Sequence, residues 1–183
     1  MALKRFVIDG YGQIELNNVA FRRDGRIEAQ CKLDEVDFEN IPAENGMLLA
    51  VDKANGVIKF AVDDTLPIAV HYSSEHMYDD RTPGLKNFAL PRETFLPRMG
   101  YLAVGDLWTS NLLCYDTEEF ADDDALKTAL KEINETPIYG GISAIGAVKL
   151  SATAPSVGPV IKVVKNYTMP NGTPGVKLQV IKA

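Results

Sequence analysis

The chain has 183 residues, 46% of them hydrophobic and 24% charged, with a formal net charge of −6 and an isoelectric point near 5.0. It is long enough to bury a substantial core, and its composition excludes a disordered or fibrous chain. The acidic balance argues against nucleic acid or an anionic membrane as the main partner, because both select a basic surface.

The opening stretch "MALKRFVIDGYGQIE" has no apolar run behind its charges, and no run of about 18 apolar residues occurs anywhere, so neither a signal peptide nor a spanning helix is expected. Residues 1–33 read as an N-terminal hairpin or arm. In "VAFRRDGRIEAQCKL" (19–33), Val19, Phe21, Ile27, Ala29, Cys31 and Leu33 alternate around Asp24-Gly25, the pattern of a hairpin with a tight turn. The same turn carries the one dense basic cluster, Arg22, Arg23 and Arg26. "MLLAVDKANGVIKFAV" (47–62) repeats the hairpin pattern around Asn55-Gly56.

Residues 71–100 hold Pro83, Pro91 and Pro97 and no sustained period, so they predict a long connection or a set of edge segments. "YLAVGDLWTSN" (101–111) predicts a turn at Gly105-Asp106 leading into a strand, with Thr109 and Ser110 on a pleated edge and Asn111 as a cap or turn. Its Trp108, the only tryptophan, is either a structural residue of that strand or an exposed partner anchor.

"DDDALKTALKEINET" predicts one amphipathic helix near 122–134, because Ala125, Leu126, Ala129, Leu130 and Ile133 share a face. Asp122, Asp123 and Asp124 suit its N-terminus, and a metal-ligating role is the alternative. "YGGISAIGAVKLSATAPSVGP" (139–159) reads as a flexible or closely packed passage. A last hairpin spans 159–182, with turn signals at Asn171-Gly172 and Pro174-Gly175. The fold expected is therefore mainly β, one antiparallel barrel or sandwich over residues 1–183.

Motifs for chemistry are weak throughout. His71 and His76, with Asp79 and Asp80, could ligate a metal, but their spacing is not that of a helical ligand pair. Ser73 and Ser74 lie beside His71 in sequence without a nucleophile motif around them, and Cys114 sits in an apolar run where an inert thiol is expected. Neither "DGYGQIE" nor "GGISAIGAVK" completes a phosphate-binding loop. No cofactor is implied.

"PRMGYLAVGDLWTSN" (97–111) and "GQIELNNVAFRRDGRIEAQCKLD" (12–34) resemble small structural proteins of tailed bacteriophages, of the kind encoded beside the major capsid protein. The resemblance implies a non-enzymatic virion component, a head decoration or capsid-associated protein made in the host cytoplasm. Its partner would be the major capsid protein or another virion protein, met through Arg22, Arg23, Arg26 and Trp108. Because lone hairpins are marginal in water, a homo-oligomer such as a trimer is also expected. Two other readings stay open: a small-ligand or carbohydrate-binding module using Tyr72, Tyr78 and Phe88, and a metal-dependent enzyme using His71 and His76.

Overall fold

The computed structural model describes residues 2–73, 84–170 and 172–183. Expectations for Ser74, His76, Tyr78, Asp79, Asp80, Pro83 and Asn171 fall outside the described residues. In chain order the elements are β1 (Leu3–Arg5), β2 (Ile14–Asn18), α1 (Ala20–Asp24), β3 (Ile27–Glu28), β4 (Lys32–Leu33), β5 (Leu48–Asp52), β6 (Val57–Phe60) and β7 (Ile68–His71). After a 3-10 turn (Leu85–Asn87) come β8 (Met99–Tyr101), β9 (Leu107–Ser110), β10 (Leu113–Asp116), α2 (Asp123–Lys131), β11 (Tyr139–Gly141), β12 (Val148–Ser151), β13 (Val160–Thr168) and β14 (Pro174–Lys182).

The protein is mainly β and built on two sheets. The larger runs β1-β10-β12-β11-β13-β14-β9-β2, and the smaller runs β3-β8-β7-β5-β6-β4. Both are mixed, because β10 pairs parallel to β12 and β4 parallel to β6, which corrects the purely antiparallel expectation. Parallel partners are joined by long connections whose ends meet only in the fold, so no turn dipeptide announces them.

Two of the three expected hairpins form. Around Asn55-Gly56, β5 and β6 pair antiparallel, and Asp52 accepts hydrogen bonds from the Asn55 backbone N–H (3.1 Å) and side-chain amide (2.8 Å). β13 and β14 form the long hairpin, whose turn is closed by Met169 N–H to the Thr173 carbonyl (2.8 Å). Pro174-Gly175 begins β14 and is not part of the turn.

The 19–33 hairpin does not form. Residues 20–24 are helical, and Gly25, at φ 68°, is the left-handed residue that ends the helix. A glycine at positive φ serves a helix C-terminus as readily as a tight hairpin turn, so the same dipeptide supports both. Beyond it β3 pairs with β8, where Gly100 lies against Phe21 so closely that an added Cβ would stand 2.5 Å from the ring. Within residues 2–33, β1 and β2 are the edges of the larger sheet, and Phe6, Ile14, Val19 and Phe21 are core.

The expected helix forms as α2, shorter than 122–134. Asp122 Oδ1 accepts from the backbone N–H of Asp124 (3.1 Å) and Ala125 (2.8 Å), and Leu126 and Leu130 enter the core. Among the described residues α1 is a second α-helix, where one was expected.

Two apolar clusters fill the interior. One joins Trp108, Tyr115, Ile161 and Leu178 of the larger sheet to Leu126 and Leu130 of α2, and to Leu48 and Val70 of the smaller sheet. The other gathers Leu49, Val51, Ile58, Ala69 and Met99 with Leu112 and Cys114. Successive residues Leu48 and Leu49 thus serve opposite faces, which explains why β5 is apolar from Leu48 to Val51. The 139–159 passage is packed and partly strand: a Cβ on Gly140 would meet the Val148 side chain at 2.8 Å.

Candidate functional site

The four residues singled out as partner contacts part company. Trp108 is fully buried at the centre of the larger core cluster, so it is structural and no exposed anchor. Its strand β9 lies between β14 and β2, not at an edge. Thr109 and Ser110 are buried as well, with the Thr109 hydroxyl donating to Asn17 Oδ1 (2.8 Å). Asn111 follows β9 and ties distant segments instead of a local turn: its Oδ1 accepts from the Gln13 N–H (2.7 Å) and its side-chain amide donates to the Thr173 hydroxyl (3.2 Å).

Arg22, Arg23 and Arg26 are exposed. Buried Ala20 and Phe21 fix one side of α1, which leaves Arg22 and Arg23 on its last turn where cations favour the helix dipole. Arg23 donates to Asn18 Oδ1, and the Arg26 carbonyl accepts from the Tyr101 N–H (3.1 Å). Next in sequence, Ile27 is 38% exposed on β3, the edge strand of the smaller sheet. Cationic side chains, an apolar side chain and an open strand edge therefore share one short surface segment.

Chemistry-bearing side chains concentrate elsewhere, in a buried network. Glu44, 2% exposed, receives both guanidinium branches of Arg5 (2.6 and 2.7 Å) and the Gly12 N–H (2.6 Å). His71, at the end of β7, is fully buried. One ring nitrogen, Nδ1, donates to the Glu44 backbone carbonyl (2.8 Å), and Nε2 accepts from the Ser73 hydroxyl (2.6 Å). The carbonyl can only accept, which sets the tautomer. Ser73 Oγ in turn accepts from the Arg98 N–H (2.9 Å).

A serine within hydrogen-bond reach of an imidazole is the beginning of a nucleophile. Here the orienting group is a backbone carbonyl and not a carboxylate, and burial pushes the His71 pKa down to about 4. A base that weak draws little proton from a hydroxyl. The cleft of about 450 Å³ between Asp64–Ile68, Leu102 and Gly158-Pro159 is lined by neither His71 nor Ser73. The arrangement suits a structural knot joining β1, the 12–13 segment, residue 44 and β7.

The other candidates are buried or held by protein partners. Tyr72, expected as a ligand platform, is 3% exposed and stacks at 5.1 Å on Phe21, with the Arg98 guanidinium above it. Cys31 and Cys114 are buried free thiols, and burial raises the pKa of Cys114 to about 11. Each aspartate of the 122–124 run has a protein partner: Asp122 caps α2, Asp123 accepts from the Tyr115 hydroxyl (2.6 Å) and the Val7 N–H (3.0 Å), and Asp124 pairs with Lys127 (2.9 Å). Sequence reasoning missed Glu44 and Arg5, which lie 39 positions apart with no local signal. No helix among the described residues is long and apolar enough to cross a membrane. Comparison with family models, curated proteins and solved structures gives no significant match.

Proposed function

We propose that this chain is a non-enzymatic structural protein of a tailed-bacteriophage virion, which docks on the capsid surface as a decoration or stabilising protein and self-associates. Its two sheets are read as the layers of a sandwich that presents loops and edges to the shell. The observation that carries the reading is the segment Arg22–Glu28, where three exposed arginines adjoin exposed Ile27 and the open edge of β3. Arginine is favoured at protein interfaces, and an open edge can accept a strand from a partner's sheet. The resemblance of residues 12–34 and 97–111 to capsid-associated phage proteins points the same way, and Ile27 and Gly100 of those two segments are partners in the sheet.

Co-sedimentation with empty capsid shells of the virus that carries the protein tests the reading. Replacing Arg22, Arg23 and Arg26 together by Glu should reduce attachment by at least about tenfold, since several rim charges act together. Ser73→Ala should leave attachment unchanged. Undiminished attachment of the triple variant, or its loss in Ser73→Ala with folding intact, would overturn the proposal.

A further inference from the structure

We infer that a second copy of this chain docks, through its acidic Asp34–Glu39 turn, on a basic cleft between α2 and β13; the inference rests on the self-association proposed above. The cleft, about 410 Å³, has Leu130, Ile133 and Val164 as its apolar part. Lys131, Lys165, Asn134 and Asn166 complete the lining, supplying two ammonium groups and two amides.

Three observations single it out. The first is charge without a counterpart. Lys4, Lys32, Lys53, Lys59, Lys86, Lys127 and Lys149 each lie within ion-pair distance of a carboxylate. Among the described residues no carboxylate pairs with Lys131, Lys162, Lys165, Lys177 or Lys182 in this chain of net charge −6, and two of these five, Lys131 and Lys165, line this one cleft.

The second is register. Lys165 and Lys177 are direct partners across β13 and β14, where like charges destabilise a sheet. The shift in pairing between Val163 and Lys165 brings Lys162 onto the same face, because Lys162 opposes Gln179 and Lys165 opposes Lys177. Of these three lysines Lys165 lines the cleft, while Lys162 and Lys177 extend the cationic surface beyond it on the sheet face turned away from Val163 and Leu178, so an acidic partner seated in the cleft meets further positive charge at its rim.

The third is a complementary surface on the same molecule. Val36 is 82% exposed at the tip of the 34–39 turn, held there by Asp34 Oδ1, which accepts from the N–H of Val36 (2.9 Å) and Asp37 (3.1 Å). Buried Phe38 anchors the turn, and exposed Glu35 and Glu39 flank the tip. The proposed seating places Val36 against Leu130, Ile133 and Val164 and matches the charges of Glu35 and Glu39 with those of Lys131 and Lys165. Glu35 pairs with Lys32 at 3.0 Å, but both side chains are more than half exposed, and such a pair exchanges readily. Phosphate-rich polymers fit less well, since they leave the apolar part unused and are repelled by the net charge.

Sedimentation velocity of the isolated protein over a concentration series, at low and high salt, tests the inference without any capsid. Wild type should self-associate, more tightly at low salt. Lys165→Glu with Lys177→Glu, Glu35→Lys with Glu39→Lys, and Val36→Ser should each weaken association at least about tenfold. All replace exposed or half-exposed side chains, and unchanged thermal melting of each will show that it folds. Mixing the lysine-reversed protein with the glutamate-reversed protein should restore association. A wild type that stays monomeric, a lysine-reversed variant that associates as wild type does, or a mixture that fails to recover would each overturn the inference. Capsid attachment is read separately, so self-association can fail while the proposed capsid role stands.

Discussion

Burial keeps His71 neutral, against the Glu44 carbonyl, whose hydrogen bond with the ring favours the charged form. Its pKa is lowered from 6.5 to about 4 in the folded protein, so folding favours the uncharged ring. The stability it contributes is therefore complete above pH 6.5 and is lost as pH falls towards 4. The loss should approach about 1.4 kcal/mol per pH unit, about 3 kcal/mol in all. Urea unfolding at a series of pH values checks this, and a flat profile from pH 6.5 to 4.5 would contradict it. Carboxylates such as Glu28 and Asp52, whose pKa values are lowered from 4.5 and 3.8 by hydrogen bonds from Gln30 and Asn55, keep their contribution above those values and lose it only as pH falls below them, outside the 6.5 to 4.5 span. The neighbouring Arg5–Glu44 pair gives a second prediction. Arg5→Ala should cost about 3 kcal/mol, because it leaves a buried carboxylate with only the Gly12 N–H. A change of less than about 1 kcal/mol in urea unfolding would mean that solvent reaches Glu44 after all.

At the scale of elements, the Gly105-Asp106 turn is a brace between distant segments. Asp106, 2% exposed, accepts from the Ala20 N–H at the start of α1 (2.6 Å) and from the Ala103 N–H (2.9 Å). Asp106→Ala should orphan both donors and cost about 2–4 kcal/mol, whereas Asp106→Asn should recover part of the loss. Thermal or urea unfolding of the two variants will check the order. Gly100→Ala should be worse tolerated than its size suggests, by about 1–3 kcal/mol, since the new methyl meets Phe21. How much of this was legible in sequence differs by element. The hairpins at 47–62 and 159–182 and the helix after Asp122 were legible, because periodicity and turn or cap residues agree locally. The 19–33 segment was not, because Asp24-Gly25 fits a helix C-terminus as well as a turn, and alternating Val19 and Phe21 are core residues in either case. Trp108 was half legible: its strand was expected, but not that β2 and β14 would enclose it. The Glu44 knot had no local signal, since its members meet only once both sheets are assembled.

Across the described residues of the whole molecule, His71, Ser73 and Glu44 are tied inward while cations and apolar side chains are presented outward. His71, Ser73 and Glu44 bond to one another or to backbone, whereas Arg22, Arg23, Arg26 and Ile27 lie on the surface beside an open strand. The proposed shell contact and the proposed contact with a second copy use separate surfaces, so charge reversal at either should leave the other working. Amide hydrogen exchange, measured on the protein alone and on empty capsid shells, tests the central claim most directly. New protection is expected to concentrate in residues 20–28, where a docked partner covers the exposed arginines and Ile27. Protection confined to residues 71–73 and 98, around the Ser73 hydroxyl, with residues 20–28 unchanged, would contradict it.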